Sequence, residues 1–309
     1  RGRSGAHRGT AEQCSGMKLG LGTVQFGLDY GVSNSTGKTP EFEVGHILRL
    51  AADKGIRVLD TAAGYGESEE VLGRCLPAQH EFAIVTKSVV LFADEGGDRC
   101  IERMCAGFRQ SLSRLRQSRT YGLLLHRAED LLSVQGPRLM AALQEFKQQG
   151  LVSKVGVSVY EPGQTSRILD RYPIDLVQLP LNLYDQRFLH TGVVDRMKEL
   201  GIEVHARSAF LQGLLLMNPD RLPSGFDSIR GHHEPLCREI AAAGLTPLEA
   251  SLRFCLAESR IDKVIVGCET PAQLSEILRV ACDAGDELLD PAQFAVEDEA
   301  IVNPARWTR

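Results

Sequence analysis

Four ionisable residues of this chain sit at comparable places around successive apolar runs. Val58-Leu59 ends in Asp60, and Tyr65 follows one tight loop later. Phe82-Ala83-Ile84-Val85-Thr86 ends in Lys87, and Tyr121-Gly122-Leu123-Leu124-Leu125 ends in His126. Parallel strands would place these ends on one face of a sheet, so the four side chains can share one pocket. A free phenol titrates near about 10, too high for an efficient acid at neutral pH. An adjacent ammonium favours phenolate and lowers that value; burial alone would discharge the lysine, and a carboxylate beside it keeps it charged. Asp60, Lys87 and Tyr65 therefore read as a relay, with His126 placed to hydrogen-bond a substrate oxygen near the phenol. Such a group protonates an oxyanion as it develops, or runs the reverse. Singly, each has a structural explanation: a turn aspartate, a packing tyrosine, a satisfied histidine. Together, on consecutive strand ends, they point to chemistry.

The elements that must carry them alternate from residue 17 onward. Strands are expected at residues 19–26, 57–62, 82–87, 121–126, 155–159, 175–179, 203–206 and 263–266. Helices are expected at 41–54, 68–75, 99–116, 138–149, 164–171, 193–200, around 236–243, 247–259 and 271–280, the last capped by Thr270. The 99–116 segment has Ile101, Met104, Cys105, Phe108, Leu112 and Leu115 at helical spacing. Proline- and glycine-rich sequence at 218–235 reads as loop. Strand–helix alternation means parallel strands with right-handed crossovers. Eight such units in roughly 270 residues favour a single-domain α/β protein, a closed (β/α)8 TIM barrel, over an open doubly wound sheet. A barrel keeps its chemistry at the C-terminal strand ends, where Asp60, Lys87 and His126 fall and where Ser158, Gln178 and Ser208 follow. Residues 1–16 read as a leader, tag remnant or disordered extension, 17–285 as the barrel, and 286–309 as a tail near its mouth.

Composition excludes several partners. Among 309 residues the net charge is −5, with both signs scattered and no basic stripe, so no nucleic acid is expected. No apolar run approaches the roughly 18 residues of a membrane span, so no membrane partner is expected either. The eight cysteines make no C-x-x-C pair; they read as small core residues in a reducing cytosol, with no metal site. The expected location is cytoplasmic and the expected state a monomer. Gly20-Leu21-Gly22 is only part of a dinucleotide fingerprint, because Gln25 stands at the third required position. The turn from Gly267 to Pro271 opens the last helix; it can present N–H groups to a phosphate or be an ordinary cap.

Taken in order, Leu21-Gly22-Thr23, Asp60-Thr61-Ala62 with Tyr65-Gly66, Thr86-Lys87, Leu125-His126, Gly156-Val157-Ser158, Val177-Gln178 and Gly213-Leu214-Leu215 resemble the aldo-keto reductases, NAD(P)(H)-linked barrel oxidoreductases. The resemblance runs from about Met17 to the last helix. It implies that Asp60, Tyr65, Lys87 and His126 are the catalytic tetrad, with Tyr65 as general acid or base. Hydride would pass between a nicotinamide and the substrate carbon. Ser158 and Gln178 match the positions that hold the carboxamide. Arg207, Ser208, Phe210, Gln212 and Gly213 match the segment under the ring and along the pyrophosphate; Gly267, Thr270, Gln273 and Glu276 match the adenosine-phosphate loop. Gly22, Thr23 and Asp60 complete the implied cofactor contacts. Four positions depart from the family pattern. Val159 replaces a common asparagine, Arg207 replaces an aromatic, and Gly267 and Gln273 stand where lysine and arginine often grip a 2′-phosphate. The family favours NADP as the cofactor, with NAD an alternative.

Gln25, Phe26 and Tyr30, the 218–235 loop and the tail are expected to wall the substrate pocket, with Phe26, Tyr30, Phe226 and Trp307 as an apolar or sugar-stacking surface. The expected function is hydride transfer to or from a small polar carbonyl or alcohol: an aldehyde, ketone or sugar. Two other readings remain at this point. One is a cofactor-binding, redox-sensing regulatory subunit; the other is an isomerase or lyase using Lys87 as a Schiff base.

Overall fold

A computed structural model describes residues 17–91, 97–283 and 289–307. The expected leader, residues 1–16, lies outside the described residues, as do 286–288 and 308–309 of the tail. In chain order the elements are β1 (Leu19–Gly22), α1 (Val24–Gly27), α2 (Glu41–Asp53), β2 (Val58–Asp60), α3 (Ser68–Cys75), β3 (Ala83–Lys87), α4 (Gly97–Leu115), β4 (Thr120–Leu125), α5 (Ala128–Leu132), α6 (Gly136–Gln148), β5 (Val152–Ser158), α7 (Pro162–Leu169), β6 (Leu176–Pro180), α8 (Arg187–His190), α9 (Val193–Glu199), β7 (Glu203–Arg207), α10 (Asp227–Ala242), α11 (Pro247–Ala257), β8 (Lys263–Gly267), α12 (Pro271–Cys282) and α13 (Glu299–Val302). The strands are parallel and close into a barrel in sequence order, β8 returning to β1. This is the (β/α)8 architecture expected from the alternation. No single described helix is long and apolar enough to cross a membrane.

Alternation along the strands builds the floor of the site. Side chains two residues apart share a face of a strand. Val58, Val85, Leu124, Leu176 and Ile265 form one buried cluster inside the barrel, and each lies two residues before Asp60, Lys87, His126, Gln178 or Gly267. The barrel is therefore plugged with aliphatic groups directly beneath its polar rim, a packed core and not a pore. The outward strand residues, among them Leu59, Ile84, Leu123, Val157 and Val177, pack against helix residues such as Ile47, Leu72, Met104, Phe108 and Phe146.

Two expected boundaries are corrected. The first strand ends at Gly22, not at residue 26, and the short helix α1 takes over. Thr23 turns the chain there: its backbone N–H and its hydroxyl both donate to the Asp60 carbonyl, at 3.0 and 2.9 Å. Gly27 can then pass against the loop that carries Tyr65, where a Cβ would lie 1.9 Å from the Tyr65 carbonyl oxygen and 2.4 Å from the Ser68 nitrogen. The 218–235 segment is not all loop. Helix α10 starts at Asp227 and runs through Pro235, because Ile229, His233, Leu236 and Ile240 bury one face at helical spacing.

Three of the four aromatic residues expected at the pocket also need correction. Phe226 and Trp307 pack edge-on against each other, with ring centroids 5.0 Å apart. They belong to a second core of Leu211, Leu214, Leu215, Phe294, Val296 and Ile301. Phe26 is wholly buried in the main core.

Glycine substitutions separate close approach from mere flexibility. Gly27→Ala should destabilise the protein by about 1–3 kcal/mol through overpacking. Gly45→Ala, inside α2 with nothing within 4 Å of its missing Cβ, should stabilise it by about 0.5–1 kcal/mol. Urea unfolding of both variants checks this, and a shared sign would count against the close approach at Gly27.

Candidate active site

The ends of β2, β3 and β6 meet over the aliphatic plug. The Lys87 ammonium donates to both carboxylate oxygens of Asp60, at 2.8 and 2.7 Å, and to the Thr61 carbonyl at 3.0 Å. Lys87 is 1% exposed and Asp60 4%. Gln178 donates its amide to Asp60 Oδ1 at 2.7 Å. Burial pushes the lysine below its ordinary value, and Asp60 opposes that shift.

The loop after β2 is tied down on both sides. The Ala63 N–H donates to the Lys87 carbonyl, and the Tyr65 N–H to the Ala62 carbonyl. Ser68, at the start of α3, donates its hydroxyl to the Thr23 carbonyl and sits 2.8 and 3.1 Å from the Thr23 and Thr61 hydroxyls. Tyr65 is thereby held with the Lys87 nitrogen 4.9 Å from its ring centroid. His126 stands edge-on to that ring, with centroids 6.0 Å apart, and its backbone N–H is held by the Ser88 hydroxyl. The four residues of the sequence reading thus come together.

The expected relay is altered in one respect. The Lys87 ammonium is within hydrogen-bond distance of both Asp60 oxygens and of the Thr61 carbonyl. Burial, then the Asp60 carboxylate, push the Tyr65 phenol above its ordinary value, with Arg207 pulling the other way. The phenol is therefore protonated at neutral pH, and its proton is held more tightly than in a free tyrosine. His126 is displaced in the opposite sense. Burial, Lys87 and Arg207 lower it from 6.5 to about 4, so it is a neutral imidazole at physiological pH.

These groups open into a cleft of about 580 Å³. Its lining includes Asp60, Tyr65 and His126 at one end, and Gly22, Thr23, Gln25, Tyr30, Ser158, Arg207, Ser208, Phe210, Gln212 and Gly213 along its length. Gly267, Gln273 and Glu276 line the other end, joined by Glu269, which the sequence reading did not single out. Phe26, Lys87, Gln178 and Thr270 are outside the lining. Lys87 and Gln178 lie beneath it, and Thr270 caps α12 by accepting from the Gln273 N–H. Of the tail's described residues, Pro304 reaches the cleft.

Tyr160 was missed by sequence reasoning. It follows β5 and carries the Arg207 guanidinium 4.1 Å from its ring centroid. Arg207 also donates to the Val159 carbonyl at 3.0 Å. The signal available in the sequence was Arg207 itself, a cation where an aromatic is common; its aromatic partner comes from another strand end. Beyond Arg207 the backbone is strained. Ser208, Leu211 and Gln212 have φ of 62°, 47° and 57°, and Gly213 has 88°, a concentration of left-handed residues typical of functional loops.

The bare floor fits a long, flat ligand. Gly22 and Gly267 are register partners without side chains, and a Cβ on Gly267 would come 2.6 Å from the Gln25 amide. A model of the Aldo/keto reductase family matches residues 18–299. An L-galactose dehydrogenase of Arabidopsis thaliana is 25% identical over 286 residues, 87% of each chain. An L-glyceraldehyde 3-phosphate reductase of Escherichia coli K12 is 24% identical over 267 residues, 74% of this chain and 76% of that one. The solved holo form of the aldo-keto reductase AKR11C1 from Bacillus halodurans superposes with a TM-score of 0.72 at 22% identity, covering 94% and 95% of the two chains.

The depressed imidazole has a consequence for stability. The unfolded chain takes up a proton on this ring near pH 6.5, and the native one only near pH 4. Native stability is unaffected by this group above pH 6.5 and declines as pH falls from there towards 4. Between pH 7 and pH 5 the urea midpoint should drop less in His126→Gln than in the wild type. Equal drops would clear the imidazole of that role.

Proposed function

The chain belongs to the aldo/keto reductase family of oxidoreductases, and we propose that it reduces the carbonyl of a small polar substrate, an aldehyde, ketone or sugar, with Tyr65 as proton donor. The observation that carries this reading is the Tyr65 phenol at the cleft wall, beside the buried Lys87–Asp60 pair and His126. The nicotinamide cofactor supplies the hydride when bound. The protein's own work is electrostatic. As negative charge gathers on the substrate oxygen, the phenol gives it a proton and His126 hydrogen-bonds it. The cations of Lys87 and Arg207 favour that charge in a setting shielded from water. The raised pKa keeps the phenol protonated at neutral pH but holds its proton tightly, so transfer depends on the basicity of the substrate oxygen as charge develops on it. Polar groups on the cleft wall, Gln25 and Tyr30 among them, suit a hydroxylated substrate, in keeping with the sugar-type names of the relatives.

Gly22, Thr23, Ser158, Ser208, Phe210, Gln212 and Gly213 would hold the nicotinamide and pyrophosphate portions, and Gly267 to Glu276 the adenosine portion. The resemblance by itself favours NADP. The cleft favours NAD(H): Glu269, Gln273 and Glu276 line the adenosine end, and Arg207, the cleft's arginine, lies at the other. A 2′-phosphate there would meet two carboxylates with no lining lysine or arginine to pair it.

Tyr65→Phe should lower kcat by at least about a hundredfold while the affinity for reduced cofactor changes little. Retention of most activity would remove Tyr65 from the donor role. By fluorescence titration NADH should bind about tenfold tighter than NADPH, a difference of about 1.4 kcal/mol. Tighter NADPH would show that cations outside the cleft lining serve the 2′-phosphate.

A further inference from the structure

Three wholly buried residues outside the cleft lining form a polar network that the proposed reduction does not use: Asn182 and Tyr184 after β6, and His233 on α10. The network meets the strained stretch after β7 at both of its ends. At the start, the Asn182 amide donates to the Ser208 carbonyl at 3.1 Å. At the far end, His233 Nε2 stands 2.8 Å from the Met217 carbonyl. Tyr184 joins the two contacts. Its backbone N–H donates to Asn182 Oδ1 at 3.0 Å, and its hydroxyl lies 3.0 Å from His233 Nδ1.

Backbone partners settle each orientation in this network. Asn182 Oδ1 faces the Tyr184 and Asp185 N–H groups, which only donate, so its nitrogen is the group turned to Ser208. A carbonyl only accepts, so His233 carries a hydrogen on Nε2 for Met217. The Cys237 sulfur, 3.6 Å from the same nitrogen, is a weak partner beside that carbonyl. Burial pushes the imidazole below its ordinary value, with the Met217 carbonyl opposing, so the ring is neutral at physiological pH and Nδ1 is an acceptor. The Tyr184 hydroxyl, which burial holds protonated, donates to it. The Tyr184 carbonyl accepts from the Val296 N–H at 2.8 Å, which ties the network to the tail. Cutting either link strands a buried donor or acceptor, a costly state.

We infer that Tyr184 and His233 are positioning residues for residues 208–213: one buried pair pins both ends of the loop and keeps it from relaxing away from the cofactor. Ser208, Leu211 and Gln212 are left-handed without being glycine, and such backbone persists only where its surroundings over-determine it. Between the pins, backbone hydrogen bonds carry the restraint. The Leu211 N–H donates to the Ser208 carbonyl at 2.8 Å, the Leu215 N–H to the Phe210 carbonyl at 3.2 Å and the Met217 N–H to the Leu214 carbonyl at 3.1 Å. A shift at Met217 therefore reaches the residues that line the cleft. The effect on cofactor rests on the reading of residues 208–213 as its cradle; the bracket itself does not.

Tyr184→Phe and His233→Leu each remove one link. Hydrogen exchange at the amides of residues 209–217, followed by mass spectrometry without cofactor, should quicken about five- to tenfold in both variants. Leu143→Ala, in the main core on α6, controls for general destabilisation and should leave those amides at the wild-type rate. Reduced cofactor (NADH, or NADPH where that binds tighter) should bind both variants about five- to tenfold more weakly by fluorescence titration. Its KM should rise alike with kcat little changed, and Leu143→Ala should bind it as the wild type does. In the wild type, nitrogen-15 NMR should find His233 as the Nε2–H tautomer. Unchanged exchange at 209–217, equal quickening in Leu143→Ala, or a His233 ring with its hydrogen on Nδ1 overturns the bracket, and the spectrum decides it even where a variant does not fold. Faster exchange with unchanged cofactor affinity overturns the positioning role alone. A wild-type protein that binds neither cofactor removes the reductase reading instead, and exchange and spectrum still decide the bracket.

Discussion

One buried ion pair organises the mouth of the barrel. Taking Lys87 and Asp60 out of water costs several kcal/mol per ion, and the attraction between them offsets this only with good geometry and further hydrogen bonds. The structure supplies both: a two-oxygen contact, the Thr61 carbonyl on the ammonium and the Gln178 amide on the carboxylate. These groups come from β2, β3 and β6. In an open sheet with the same strand order, β2 and β6 would be four strands apart, roughly 19 Å at the usual spacing. The 2.7 Å bond from Gln178 to Asp60 therefore requires closure. The ion pair and the barrel depend on each other.

The charges near the substrate end follow from that pair. Burial, then the Asp60 carboxylate, dominate Tyr65 and hold its phenol above the ordinary value. Burial first, then the nearby Lys87 and Arg207 cations, keep the His126 imidazole neutral. The outcome is one protonated phenol and one uncharged ring facing the cleft, with cationic charge behind them.

Much of this was legible in the sequence because period-two alternation and strand-end position are local properties. Asp60, Lys87 and His126 each close an apolar run, and Tyr65 is tied to Asp60 by a loop short enough to be read directly. Features decided by distant contacts were not legible. The end of the first strand at Gly22 is set by Thr23 bonding the Asp60 carbonyl, a contact between strands. Helix α10 was hidden by Pro235, whose composition signal was outweighed by burial against the second core. Tyr160 depends on Arg207 reaching it from another strand. The direction of the Tyr65 shift follows from burial and the Asp60 carboxylate, which spacing alone does not weigh.

The second core explains how the strained stretch after β7 persists. Residues in left-handed backbone cost of order 1–3 kcal/mol each when they are not glycine, and Ser208, Leu211 and Gln212 are three of them. The same stretch buries Leu211, Leu214 and Leu215 against Tyr184, Phe226 and the tail residues Phe294, Val296 and Ile301. Hydrogen bonds fix it as well: the Val32 N–H donates to the Gln212 carbonyl at 2.8 Å, and the Asn182 amide to the Ser208 carbonyl at 3.1 Å. Buried aliphatic area of this kind is worth about 1.5–3 kcal/mol per side chain, enough to offset the strain. The tail thus shapes the cleft from behind. Of its described residues, Pro304 walls the cleft, and Phe294, Val296 and Ile301 clamp the loop whose unusual backbone presents Arg207 to Gly213 to the cleft.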